Sequence, residues 1–240
     1  MISILIPAYN EVDRIHHTIA AARSLELEGR AIEIIVVDDG SQVATAIEAE
    51  RAGADTVLRQ SNRGKGAALE AAFALSSGDI LLLLDADVGS SAVEAEMLLA
   101  PVLSSVADMT IASFPVLPGK GGGMGLVVRL ARWGIRKLTG RAMMSPLSGQ
   151  RAMRRDVLLD SGGFAAGWGV EIALTVTALR AGKRVLEIPT QMTHRVTGRT
   201  FSEILHRGSQ FFDAAHTLFQ LWRAPRSVHD AAVLLPGEKK

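Results

Sequence analysis

Ile80-Leu81-Leu82-Leu83-Leu84-Asp85-Ala86-Asp87 runs straight from aliphatic side chains into two carboxylates, and its reading decides the fold. A near-continuous aliphatic run is the pattern of a parallel strand buried on both faces. In open α/β sheets, ligands bind beyond the carboxyl ends of such strands. Two carboxylates two residues apart, where the strand leaves the core, are costly as structure alone. They suit a divalent cation that bridges a diphosphate, because hard oxygen ligands hold Mg²⁺ or Mn²⁺. A solvated turn or a helix cap is the competing reading.

Working outward, the first hundred residues alternate strand and helix. Strands are predicted at Ile2–Pro7, Ile32–Val37, Thr56–Arg59 and Ile80–Leu84, with helices at Glu11–Leu27, Ala44–Ala52 and Gly64–Leu75 between them. This order predicts an α/β fold with a mostly parallel sheet, right-handed crossovers and helices on its flanks. Three strand ends would meet at one edge: Pro7-Ala8-Tyr9-Asn10, Asp38-Asp39-Gly40-Ser41 and Asp85-Ala86-Asp87. That convergence is harder to explain structurally than any one of the three.

Further along, a helix is expected at Ser91–Leu103 and a strand at Met109–Ser113. Pro115 to Gly125, with Gly121-Gly122-Gly123, reads as a mobile loop. Leu126–Leu138 follows as an amphipathic helix: Arg129, Arg132 and Arg136 form one stripe, and Leu126, Leu130 and Trp133 another. Short helices are expected at Asp156–Leu159 and Val170–Leu179, a strand at Val185–Ile188, and a long helix at Phe201–Trp222. The expectation is one domain over 1–223, divided into halves 1–113 and 114–223, with a loosely held tail at 224–240.

Composition narrows the classes. The chain has 240 residues, 48% of them hydrophobic and 5% aromatic, so its core must be built from Ala, Leu, Ile and Val. There is no cysteine, which excludes disulfides and thiolate chemistry and fits a cytoplasmic protein. No stretch approaches the roughly 18 apolar residues of a membrane span. The chain enters a strand at Ile2, so no signal peptide is expected. Residues 1–115 carry 7 Lys/Arg and 17 Asp/Glu, whereas 116–240 carry 19 and 8, so the halves differ as −10 and +11. Within 116–155 nine residues are basic and none acidic, which points to an anionic partner, a phosphate or a lipid surface. A solvated basic face balancing the acidic half reads equally well.

Gly64-Lys65-Gly66 opens a helix, where unpaired backbone N–H groups and a lysine can meet a phosphate. The P-loop spacing is absent, and no Gly-x-Gly-x-x-Gly follows the first strand, which argues against a dinucleotide enzyme. Asp38-Asp39 could read a base or ribose, or serve as turn chemistry. His194, after Pro189 and Thr193, is a candidate metal ligand or an ordinary surface histidine. Glu171, at a helix start beside Gly167-Trp168-Gly169, could be a base, a sugar ligand or a favourable helix-start charge.

In this order these residues resemble family-2 glycosyltransferases of the GT-A fold, over about residues 2 to 212. Pro7-Ala8-Tyr9-Asn10-Glu11, Val37-Asp38-Asp39-Gly40-Ser41, Asn62-Arg63-Gly64-Lys65-Gly66 and Asp85-Ala86-Asp87 look like that family's nucleotide-sugar half. The resemblance implies a nucleotide-sugar pocket formed by Pro7, Ala8, Asn10, Glu11 and Asp39, with Lys65, Asp85 and Ala86. It implies a Mg²⁺ or Mn²⁺ ion on Asp87, His194 and Asp85, and Leu147, Gly149 and Glu171 placing the donor sugar. Glu171, Asp85 and Lys65 would be the catalytic set.

Pro146-Leu147-Ser148-Gly149-Gln150, Gly167-Trp168-Gly169-Val170-Glu171-Ile172 and His194-Arg195 resemble glucosyl-3-phosphoglycerate synthases. That likeness implies UDP-glucose as donor, with GDP-mannose behind it, and an anionic, phosphorylated acceptor. The basic helix leading into Ser148-Gly149-Gln150-Arg151-Ala152 resembles dolichyl- or polyprenyl-phosphate sugar transferases, which implies peripheral contact with the inner membrane face through Leu126–Arg141. The two departures are that the chain lacks the transmembrane helices of many polyprenyl enzymes, and that 121–128 lacks the polar residues expected for a phosphoglycerate. A nucleotidyltransferase and a non-catalytic membrane-binding protein are the alternatives. No nucleic-acid partner is expected, and a homodimer and the stereochemical course are left open.

Overall fold

The computed structural model describes residues 1–27, 29–114, 125–165, 167–193 and 201–224, with the backbone alone at 168 and 201–211. The strands are β1 (Ile2–Ala8), β2 (Ile32–Asp38), β3 (Thr56–Arg59), β4 (Ile80–Leu83), β5 (Met109–Ser113), β6 (Arg151–Arg154) and β7 (Val185–Pro189). The helices are α1 (Ile15–Arg23), α2 (Thr45–Arg51), α3 (Lys65–Leu75), α4 (Ala95–Leu103), α5 (Gly125–Thr139), α6 (Arg155–Asp160), α7 (Val170–Arg180) and α8 (Phe201–Arg223).

The strands form one sheet in the order β3-β2-β1-β4-β6-β5-β7. All neighbours pair in parallel except β6, which runs antiparallel to both β4 and β5. The sheet is therefore mixed, and β6 corrects the sequence reading, which placed no strand between Met109–Ser113 and Val185–Ile188. Arg151-Ala152-Met153-Arg154 is short and flanked by arginines, so it carries no aliphatic run to announce a central strand.

Strand periodicity divides the interior in two. Ile2, Ile4 and Ile6 of β1, with Leu82 of β4, pack under α1 and α4. Leu5, Leu81 and Leu83 point the opposite way, into the layer of α3, α5, α6, α7 and α8. Covering both faces is what permits strands as apolar as Ile80–Leu83.

Local departures have local causes. The helix expected over Glu11–Leu27 is shorter: α1 closes at Ser24, whose N–H bonds the Ala20 and Ala21 carbonyls, and Leu25 and Leu27 are buried beyond its end. Ser91–Leu103 is a 3₁₀ segment, Gly89–Glu94, followed by α4. On α5 the buried stripe is Val127, Ala131, Gly134 and Ile135, while Leu126 and Trp133 face outward. Of the apolar stripe read from the sequence, only Leu130 packs against the core. Gly134 gives α8 its close approach, since a Cβ there would collide with the Leu218 methyl carbons. The expected loop 115–125 lies almost wholly outside the described residues, as does the tail from 225.

Candidate active site

Strand order reverses at β1, which has β2 on one side and β4 on the other, so a crevice opens beyond their carboxyl ends. The polar strand ends predicted to converge do meet there. Asn10 adopts φ 57°, a left-handed conformation tolerated best by Gly and Asn. Its N–H donates to Ser41 Oγ at 2.8 Å and its Oδ1 accepts from Gln42 N–H at 2.8 Å, pinning the loop after β1 to the loop after β2. Pro7 is half-buried and Ala8 buried in β1, and Glu11 N–H donates to Thr45 Oγ1 at 3.1 Å. Asp38 is turned to the Ser41 N–H.

Asp39 is buried and ties the loop after β2 to the segment before α3. Its Oδ1 accepts from Gln60 Nε2 at 2.7 Å and Arg63 N–H at 2.9 Å, and its Oδ2 from Gly64 N–H at 2.7 Å. The carboxylate thereby fixes the approach to α3, whose first residue is Lys65. Gly64 has φ 88°, so the turn that delivers Lys65 requires glycine.

Lys65 reaches across the crevice to an acidic pair. Its Nζ lies 2.6 Å from Asp85 Oδ1, in the turn after β4, and 2.8 Å from Glu171 Oε1, in the first turn of α7. Burial by itself would lower the lysine's pKa, but the fields of Asp85 and then Glu171 outweigh it and hold the ammonium above the ordinary lysine range. The three residues predicted as catalytic are therefore in direct contact, although they come from three separate parts of the chain.

The turn and loop around them are equally specific. Thr18 Oγ1 donates to the Ala86 carbonyl at 2.8 Å and accepts from Gly89 N–H at 2.8 Å, while Arg14 bonds the Asp87 carbonyl at 3.1 Å. These bonds hold the Asp85–Asp87 turn on α1. Gly149 passes over the ion pair, so close that a Cβ would meet Lys65 Nζ and both Asp85 oxygens within 2.8 Å. Leu147 packs against the lower core. Gln150 Nε2 donates to Asp85 Oδ2 at 2.7 Å.

Sequence reasoning missed Gln150, Arg151 and Thr175. The Arg151 side chain has no solvent exposure. It donates through Nε to Ser148 O at 2.8 Å and through a terminal nitrogen to Thr175 Oγ1 at 2.8 Å, and Thr175 in turn donates to the Glu171 carbonyl. Burial brings its pKa down to about 10, with Glu171, Glu187 and Asp85 opposing, so it remains a cation at neutral pH. An unusual arginine inside Ser-Gly-Gln-Arg-Ala was the only signal available.

A divalent cation fits the chemistry of this turn. Lys65 and Arg151 are matched by Asp85 and Glu171, so an entering diphosphate would need a further positive charge. Asp87, two residues beyond Asp85, supplies hard oxygen donors. Among the described residues no three His, Cys, Asp or Glu side chains form a ligand cluster. The residues expected to hold a bound ion are Asp87 and Asp85, with His194, which lies outside the described residues.

Comparison with known proteins shows the family and the fold. The model of glycosyl transferase family 2 matches residues 3–166, and the chain belongs to that family. It is 35% identical over 196 residues to a glucosyl-3-phosphoglycerate synthase of Mycolicibacterium paratuberculosis, a match covering 73% of this chain and 59% of that protein. The chain therefore spans somewhat under two thirds of that relative's length. A crystal structure of glucosyl-3-phosphoglycerate synthase from Mycobacterium tuberculosis, in complex with Mn²⁺, uridine diphosphate and phosphoglyceric acid, superposes with a TM-score of 0.78. Its identity is 29%, over 94% of this chain and 79% of that one. An undecaprenyl-phosphate 4-deoxy-4-formamido-L-arabinose transferase of Pseudomonas paraeruginosa is 42% identical over 98 residues, 37% of this chain and 28% of that protein. The GT-A-type fold expected from the sequence is borne out.

Proposed function

We propose that the protein is a metal-dependent glycosyltransferase that moves a sugar, glucose from UDP-glucose as the first choice, to an anionic, phosphorylated acceptor. The observation that carries this reading is the Lys65–Asp85–Glu171 cluster at the reversal point of the sheet, beside the Asp85-Ala86-Asp87 turn. The relatives that bind uridine diphosphate with Mn²⁺ support it.

Asp87 with His194 would hold Mg²⁺ or Mn²⁺, which when bound neutralises charge on the departing nucleoside diphosphate. Pro7, Ala8, Asn10 and Glu11 form one wall of the nucleoside pocket, and Asp39 fixes the other through Gln60, Arg63 and Gly64. Asp85 and Glu171 accept hydrogen bonds from donor-sugar hydroxyls, and Lys65 adds positive charge where the leaving phosphate becomes more negative.

The test is thermal shift against a panel of nucleotide sugars with Mn²⁺, with Mg²⁺ and with EDTA, followed by turnover with 3-phosphoglycerate. A ligand at a hundredfold excess over its dissociation constant stabilises the native state by about 2.7 kcal/mol. A metal-dependent shift with one nucleotide supports the reading, and no shift with any donor defeats it.

A second reading, a polyprenyl-phosphate acceptor met at a membrane surface, is favoured by the outer faces of α5 and α8. Trp133 and Trp222 are 64% and 68% exposed, with Leu126 and Phe219 also outward, and Arg129, Arg136 and Lys137 share the α5 face. Interfacial helices combine these residue types. Among the described residues no helix is long and apolar enough to cross a membrane. Flotation with anionic but not neutral vesicles would favour this acceptor class; flotation without any nucleotide binding would favour a non-catalytic lipid-binding protein.

A further inference from the structure

The segment between α5 and β6 brings Gly149 and Gln150 onto Asp85 and Lys65, yet it contains no regular structure of its own beyond a turn closed by Ser148 N–H and Ser145 O at 3.2 Å. Its shape is imposed by side chains from elsewhere. Glu187 of β7 accepts from Met144 N–H at 2.7 Å through one oxygen and from Ser145 N–H through the other. Ser145 Oγ meets Ser113 Oγ of β5 at 3.2 Å. Arg151 then takes the carbonyls further along, Ser148 O through Nε and Pro146 O at 3.3 Å through a terminal nitrogen. The loop's early N–H groups are thus held by one carboxylate and its later carbonyls by one guanidinium.

The location of that guanidinium is informative. Arg151 is in register with Leu83 on β4 and Ile111 on β5, in the middle of the sheet. Replacing a buried ion by apolar side chains of similar volume is often neutral or stabilising, so folding alone gives little reason for an arginine there. What an apolar residue cannot do is fix two carbonyls and Thr175 Oγ1 from one rigid fork. Thr175 passes the constraint to the Glu171 carbonyl. Arg151 also lines the same small cavity as Lys65, Gly149 and Glu171.

We propose that Arg151 and Glu187 are positioning residues for sugar transfer: they fix the 144–150 loop so that Gly149 and Gln150 hold Asp85 and Lys65 in the geometry the reaction needs. The proposal rests on the glycosyltransferase reading for its kinetic arm. It adds to that site two residues that act on it through the 144–150 loop.

Three variants test it: Glu187→Gln, Arg151→Lys and Arg151→Met. In Glu187→Gln one of the two loop N–H groups faces an amide NH₂ instead of an oxygen; in Arg151→Lys the charge stays but the fork is lost. Amide hydrogen exchange over 144–150, affinity for UDP with Mn²⁺, and kcat and KM for UDP-glucose turnover are measured on each. The expected result is faster loop exchange and a kcat lower by about 10- to 100-fold, the scale of a small misplacement at a reacting centre. UDP–Mn²⁺ affinity stays at the wild-type value, and Arg151→Lys retains more activity than Arg151→Met. An unchanged kcat despite faster exchange overturns the proposal, as does a loss that falls on UDP affinity instead. Should Arg151→Met fail to fold, Glu187→Gln decides, because its site is only half-buried. If the wild-type protein turns over no nucleotide sugar, the functional reading fails separately; unchanged loop exchange in Glu187→Gln then overturns the positioning role.

Discussion

Gly149 lies against Lys65 so closely that a Cβ on the glycine would stand 2.5 Å from the ammonium nitrogen. The same Cβ would come within 2.8 Å of both Asp85 oxygens. No rotamer change of one partner relieves both contacts, so the ion pair and the loop define each other's position. A glycine is required here for lack of space, since its φ lies outside the positive range.

Gly149→Ala is therefore expected to displace Lys65 and Asp85 while leaving the core intact. Sugar transfer should fall by about 100-fold, the cost of a roughly 1 Å shift at a reacting centre. The check is kcat/KM beside a melting curve. Activity within twofold of wild type would show that the loop yields freely.

Lys65→Met leaves Asp85 and Glu171 facing each other without the cation that both now contact. Breaking a buried pair by removing one partner costs about 3–5 kcal/mol. Two carboxylates left in one site without the cation repel each other when both are charged, so the variant loses most stability where both are ionised. In wild type the raised Lys65 pKa contributes stability fully present below the ordinary lysine value of 10.5. The stability gap between the two proteins should therefore widen from pH 5 to pH 8. Melting temperatures across that range test it, and a constant gap would mean the carboxylates separate.

Much of this was legible in the sequence, for reasons specific residues make clear. Ile80–Leu83 and Ile32–Asp38 are strands whose two faces are both buried, so hydrophobicity alone marks them. Lys65, Asp85 and Glu171 follow strand and helix boundaries that Gly and Asp punctuate. β6 was not legible, because a four-residue strand beginning with a fully buried arginine defies the usual sorting of charge to the surface. Glu187 was equally silent: its role exists only through two backbone N–H groups some forty residues away. The outward turn of Leu126 and Trp133 depends on α8 packing against Gly134, a contact no periodicity within α5 encodes.

Asp108 ties β5 to β7. Both its oxygens accept from the Arg184 side chain, and it also accepts from Arg184 N–H at 2.8 Å. Those bonds bring its pKa down from 3.8 to about 2. A depressed carboxylate contributes stability that is present above its unfolded pKa and lost as pH falls through the folded one. Asp108→Asn should melt below wild type at pH 7, with the difference shrinking from about pH 4 downward and nearly gone at pH 2. A gap independent of pH would trace the anchor to packing instead of charge.

Asp87 gives the sharpest separation of stability from function. It is half-buried, and its turn is held through main-chain carbonyls by Thr18 and Arg14, bonds that a side-chain truncation leaves in place. Asp87→Ala should therefore melt close to wild type. If Asp87 holds the cation on the diphosphate, transfer should fall by at least about 100-fold, since even residues that only support a metal ligand are worth 10- to 100-fold. The accompanying signature is loss of the Mn²⁺-dependent part of UDP binding, measured by calorimetry with and without EDTA. Asp85→Asn offers the contrast, because Asp85 is already engaged by Lys65 and Gln150. That variant should keep more of the metal-dependent binding while losing turnover. Equal loss of metal-dependent binding in both would place the cation between the two carboxylates.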